Sequence, residues 1–128
     1  MVDETQTADR NGRGPRVYDL EERMARFGEA IVAYAKRVPR NVVTLPLIKQ
    51  LVRAGTSVGA NYCEADGAVS PKDFRHIISI SKKESRETMY WLRMIVAAEP
   101  RMKEESRTHW REAKELHLIF ASIWRGKK

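Results

Sequence analysis

The run from Ser57 to Leu92 reads SVGANYCEADGAVSPKDFRHIISISKKESRETMYWL, and the break in its middle constrains the fold more than any other feature. Ser70-Pro71-Lys72-Asp73 is a helix start. Serine accepts a backbone hydrogen bond at the N-cap, proline fits a first-turn position that needs no donor, and aspartate complements the helix dipole. The segment before it carries Gly55 and Gly59 one helical turn apart. The segment after it continues without a helix breaker to Glu99-Pro100. Two long helices joined by so short a connection pack side by side and antiparallel.

The flanking sequence supplies two more helices. From about Asp19 to Arg37, Leu20, Met24, Phe27, Ile31, Tyr34, Ala35 and Val38 recur at spacings of three and four, with Asp19 as N-cap and Pro39 as stop. The second helix is expected from Leu45-Pro46 to just before Gly67, with Ile48, Leu51, Val52, Gly55, Gly59 and Tyr62 on its apolar face. The third spans Ser70 to about Ala98. The fourth is expected from Ser106 to Trp124, with Trp110, Ala113, Leu116, His117, Phe120, Ile123 and Trp124 inward. The fold class is therefore all-α, an antiparallel up-and-down four-helix bundle over residues 17–128. The glycine pair is read as room for a close helix neighbour, since its flanks are polar. Residues 1–16 are polar and lack the apolar centre of a signal peptide; they are read as a disordered tail.

Composition narrows the partners. The chain carries a formal net charge of +7, which favours anionic partners such as RNA or DNA, or serves solubility alone. No apolar run is long enough for a membrane span. Cys63 is the single cysteine, so no internal disulfide can form and a cytoplasmic setting is expected.

The third helix sorts its charges. At 100° per residue, Lys82, Arg86 and Arg93 all fall within about 20° of Arg75. Lys72 and Lys83 lie at the margins, and Tyr90 flanks the row as a stacking surface. Asp73, Glu84 and Glu87 project from the other half. Solvated faces usually mix signs, because like charges at i,i+4 repel. The row is a candidate phosphate-binding face, with a plain solvated face as the alternative. Phe74, Ile77, Ser81, Ser85, Thr88, Leu92 and Ile95 form the expected core stripe. Ile80, Trp91 and Met94 form a second apolar strip that suggests a subunit interface. Arg53 on the second helix is expected to pair with Glu84 or Glu87, across that interface or inside the bundle.

The segments Ser57-Val58-Gly59-Ala60-Asn61-Tyr62-Cys63-Glu64-Ala65, Ser70-Pro71-Lys72-Asp73-Phe74, Lys83-Glu84-Ser85-Arg86-Glu87-Thr88 and Tyr90-Trp91-Leu92 resemble a bacterial four-helix-bundle family. Its members include proteins encoded in intervening sequences of large-subunit ribosomal RNA genes. The resemblance spans about Tyr18 to Trp124. It implies an up-down bundle assembled as a homopentamer, related in fold to the accessory variability protein of diversity-generating retroelements, which works with a reverse transcriptase and nucleic acid. A nucleic-acid enzyme is accordingly one candidate partner. Asn61, Glu64, Glu84 and Glu87 match the family's characteristic positions and look like fold and assembly determinants. Asn61 and Glu64 are placed to satisfy backbone groups at the turn into the third helix. Glu99-Pro100-Arg101-Met102 lacks the glycine expected before the fourth helix.

Chemistry for catalysis is sparse. No glutamate is followed three residues later by histidine, which removes a ferritin-type di-iron site. Cys63, Glu64, Asp66 and His76 make a poor zinc set, and Gly12-Arg13-Gly14 opens no phosphate-cradling unit. No metal, cofactor or catalytic residue is expected, and the chain is read as a non-enzyme. The enzymatic alternative is a metal-independent ribonuclease using Arg111 and His117. Their spacing is similar to the arginine–histidine motif of small helical ribonucleases, but six residues of helix turn the two side chains about 120° apart.

Overall fold

The computed structural model describes residues 16–126, with side chains from Leu20 onward; residues 1–15 of the proposed tail and Lys127 and Lys128 lie outside the described residues, while Arg16 belongs to the first helix. Four helices follow one another: α1 (Arg16–Arg37), α2 (Thr44–Ala65), α3 (Pro71–Ala98) and α4 (Lys103–Gly126). A single 3-10 turn, Pro100–Met102, joins α3 to α4, and no strand occurs among the described residues. Each helix packs against its neighbours in sequence. α4 closes the ring onto α1 through a lighter contact, and the diagonal α2 and α4 meet only through side chains in the core, with the Tyr62 and Phe120 rings 6.0 Å apart. This is the expected up-and-down bundle.

Three helix starts differ from expectation, each for a local reason. α1 begins at Arg16, so Asp19 sits inside the helix and is not its cap. α2 begins at Thr44, where Asn41 and Thr44 cap each other. Asn41 Oδ1 accepts from the backbone N–H groups of Val43 and Thr44, both at 2.9 Å, while the Asn41 N–H donates to Thr44 Oγ1 at 2.9 Å. That reciprocal pairing satisfies helix-start donors without the Leu45-Pro46 signal. α4 begins at Lys103, because the 3-10 turn runs straight into it. Ser106, the expected first residue, therefore lies inside the helix, where it is buried and hydrogen-bonds the buried Tyr34 hydroxyl of α1. At α3 the expected start holds: Ser70 Oγ accepts from the Asp73 N–H at 3.0 Å, and Asp73 reaches back to the Val69 N–H at 3.1 Å.

The core is built from Met24, Phe27, Ile31, Tyr34 and Val38 of α1, Leu51 and Val58 of α2, Ile78, Leu92 and Ile95 of α3, and Leu116 and Phe120 of α4. Two stripes rotate slightly from their expected places. On α2, Ala54 and Val58 are fully buried while Ile48, Val52 and Tyr62 are half-buried. On α3, Ile78 replaces Phe74 and Ile77 at the centre. Both helices sit between two neighbours, so the buried arc is wider than one stripe.

Gly55 and Gly59 perform the expected packing role. A Cβ on Gly55 would lie 2.8 Å from Ile31 Cγ2, and one on Gly59 would lie 3.3 Å from Met24 Cβ. α1 can approach α2 this closely only because those side chains are absent. α3 comes close to α2 by a different device, with Ser81, Ser85 and Thr88 buried in its seam. Ser81 Oγ donates across it to the Val58 carbonyl at 3.0 Å. Ser85 and Thr88 donate back to the Ser81 and Glu84 carbonyls of their own helix, so no hydroxyl is stranded.

Candidate nucleic-acid interface

The glutamates of α3 and α4 turn away from each other. On α3, Glu84 and Glu87 face α2, where Arg53 takes both. Arg53 Nη1 lies 3.1 and 3.2 Å from the two Glu84 oxygens, and Nη2 lies 2.6 Å from Glu87 Oε1. The expected pairing thus forms inside the bundle. Glu84 is buried and needs this cation, because an ionised carboxylate without a partner is costly to desolvate. On α4, Glu112 and Glu115 face α1 and bind Arg23, at 2.7 and 2.8 Å to Glu112 and 3.0 Å to Glu115. Glu105 binds Arg37 on the same seam. The Glu112 hydrogen bonds chiefly hold the Arg23 pKa above its ordinary value.

The cations collect on the seam the acids vacate. His117 Nδ1 meets the Lys82 carbonyl at 3.1 Å and Arg75 lies over the Trp124 ring, which fixes how the antiparallel α3 and α4 align. On that alignment the row Arg75, Lys82, Arg86 and Arg93 forms the α3 rim of the α3–α4 seam. α4 contributes the opposite rim: at 100° per residue Lys103, Arg107, Arg111, Lys114 and Arg125 span about 80°. None of Arg75, Lys82, Arg86, Arg93, Lys103, Arg111 and Lys114 has a carboxylate within ion-pair distance among the described residues. Arg107 reaches only the exposed Glu104, at 3.6 Å.

Aromatic rings are interleaved with these cations. The Arg75 guanidinium carbon lies 4.2 Å and Lys82 Nζ 5.6 Å from the Trp124 ring centroid, while Lys114 Nζ lies 5.5 Å from that of Trp110. Arg75 Nε and the Trp91 indole N–H are buried without a hydrogen-bond partner. Arg75 is thus partly committed to packing against Trp124. Arg86 and Arg93 are exposed. Near the lower end of the seam Leu92, Arg93, Val96, Lys103, Arg107, Trp110 and Arg111 line an open groove of about 370 Å3. A roomier groove of about 460 Å3 between α1 and α2 is rimmed by Glu21 and Glu29, so its sign is wrong for a polyanion.

The remaining candidates are dispersed. Lys72 is exposed in the first turn of α3, and Tyr90 is exposed and edge-on to Trp91 at 5.0 Å. Trp91 packs against the core, and Ile80 and Met94 on the same helix are half-buried. Asn61 Nδ2 donates to the Ser57 carbonyl one turn back in α2, not to the following turn. The Glu64 side chain is exposed and only its carbonyl serves the turn, accepting from the Gly67 N–H at 3.0 Å. Arg111 is exposed while His117 is half-buried with one ring nitrogen at the α3 backbone, so the helix keeps this pair apart. No cluster of three or more potential metal ligands occurs among the described residues.

The α4 cations were legible in sequence, since positions 103, 107, 111 and 114 repeat at helical spacing. Their meaning was not, because only packing shows that they and the α3 row border one seam.

Fold and charge pattern together define a class, a four-helix bundle with acids neutralised on two seams and bases exposed on a third. The chain belongs to the 23S rRNA-intervening sequence protein family, whose model matches residues 18–122. It is similar to a crystal structure of a protein of unknown function from the S23 ribosomal protein family of Bacteroides thetaiotaomicron VPI-5482. That likeness has 30% identity, covers 82% of this chain and 97% of the other, and has a TM-score of 0.73. No curated protein matches.

Proposed function

We propose that this protein is a non-enzymatic, homo-oligomeric binder of nucleic acid that grips the phosphate backbone along the α3–α4 seam. The observation that carries this reading is the segregation of charge. Arg23, Arg37 and Arg53 are used up on glutamates, whereas the α3 and α4 rims are left with cations of one sign. A one-sign double row is unfavourable for the isolated bundle and favourable once phosphates displace its counterions. The family's name refers to 23S rRNA, which makes RNA the first probe. Self-assembly would use the apolar strip of Ile80, Trp91 and Met94, away from the cationic rims. A cytoplasmic location and a nucleic-acid enzyme as further partner suit this role, and no described helix is long and apolar enough to cross a membrane.

Fluorescence anisotropy with labelled RNA and DNA at several salt concentrations tests the reading, with light scattering alongside for subunit number. Changing Arg86, Arg93, Lys103 and Arg111 together to Ala is expected to leave the fold and assembly intact. For a single strand it should flatten the log–log salt slope by about 3, at roughly 0.7 per lost phosphate contact. An unchanged slope counts decisively against this face.

A further inference from the structure

The nucleic-acid reading leaves open which form of the polymer the seam takes, and the groove at its lower end carries that choice. Its floor is apolar, made by the buried Leu92 and the half-buried Val96 and Trp110, with the buried Ser106 also in the lining. Its rim is cationic and comes from both helices, with Arg93 facing Lys103, Arg107 and Arg111. The volume of about 370 Å3 falls among small-ligand sites, which run from about 300 to 1,000 Å3. A duplex would use only the rim, because its base faces are stacked inside. An unpaired nucleotide would use both parts, laying its base on the apolar floor and its phosphate on the guanidinium groups.

We propose that this groove is a subsite for an unpaired nucleotide, making single-stranded RNA or DNA the preferred ligand; the proposal rests on the nucleic-acid reading. A second feature points to a repeating ligand. α4 carries a cation-covered tryptophan twice, Trp110 beneath Lys114 and Trp124 beneath Arg75 and Lys82. At 1.5 Å per residue the two rings are separated by about 21 Å along the helix. A single strand repeats an anion and a π-face at every residue, and so can meet both units on one seam. An acidic peptide also complements the rim, but nothing obliges its aromatic and acidic groups to repeat.

The test uses the full chain and four labelled probes at low salt: a single-stranded oligonucleotide, an abasic strand of equal length, the matching duplex, and a peptide of alternating Asp and Phe. The expected result is that the base-bearing strand binds about tenfold or more tighter than the abasic strand and the duplex, as stacking on aromatic side chains provides. Trp110→Ala should erase most of that advantage without changing duplex affinity. The exposed Arg107→Glu and Arg111→Glu, which leave the core untouched, should weaken single-strand binding even if Trp110→Ala fails to fold. Equal affinity for abasic and base-bearing strands overturns the subsite while the backbone-binding reading stands. Tighter binding of the peptide than of any nucleic acid overturns it in favour of a protein partner. Absence of binding to every nucleic-acid probe overturns both readings.

Discussion

His109 shows how one side chain can couple this bundle to pH. It stands half-buried in the α1–α4 seam, edge-on to the Tyr34 ring at 5.3 Å, with Glu105 and Arg37 nearby. Burial lowers its pKa below the ordinary histidine value near 6.5; Glu105 opposes that shift and Arg37 reinforces it. The folded chain therefore binds fewer protons than the unfolded chain just below pH 6.5, and stability falls as pH falls through that window. Thermal midpoints measured at pH 7.5 and 5.5 should drop more for the wild type than for His109→Gln. Equal drops would show that His109 carries no linkage. The adjoining Tyr34–Ser106 hydrogen bond explains why so polar a pair can be buried at the same seam, since each hydroxyl satisfies the other.

Between elements, the α2–α3 seam combines close approach with one buried charge. The small hydroxyls of Ser81, Ser85 and Thr88 let the helices meet, and Arg53 clamps the edge through Glu84 and Glu87. The Arg53 side chain is 45% exposed, so solvent screens its half of the interaction; Glu84 is 11% exposed and bears most of the consequence. Arg53→Met is expected to destabilise by about 1–2 kcal/mol in urea unfolding, mainly by stranding Glu84. Adding Glu84→Met should recover most of that loss, and the double-mutant cycle measures the coupling. A double variant no more stable than Arg53→Met alone would mean that the pair is incidental. That Arg53 pairs with Glu84 or Glu87 was legible from the wheel of one helix. That the pair lies within one chain was not, because the facing helix and its register come from packing.

Across the whole molecule the same residue type has opposite roles on opposite sides. Arg23 and Arg37 stitch α1 to α4, the seam with the lightest packing, through Glu112, Glu115 and Glu105. Arg86 and Arg93 face a row of further cations with no acid in reach. Arg23→Ala should cost on the order of 1 kcal/mol, because its bidentate pair is only part-exposed. Arg86→Ala with Arg93→Ala should leave the thermal midpoint unchanged or raise it slightly, because only repulsion is removed. If the second pair destabilises as much as the first, the charge-segregated picture is wrong. A stability contrast of this kind separates arginines kept for architecture from those kept for a partner.

Four helices, their up-and-down order and the N-cap of α3 follow from local chemistry alone: caps, prolines and the spacing of apolar residues. Gly55 and Gly59 also announced a close helix neighbour before any packing was known. Their partners, Ile31 and Met24, belong to α1 and lie far away in sequence. The reciprocal cap of Asn41 and Thr44 and the 3-10 entry into α4 leave no local signal, because several residues must cooperate to form each. Tertiary structure alone decided that the α3 base row lies beside a second row on α4 with two tryptophans between them. Helical periodicity fixes where a side chain points on its own helix. Which helix it then faces depends on the register of two surfaces, and the core sets that register.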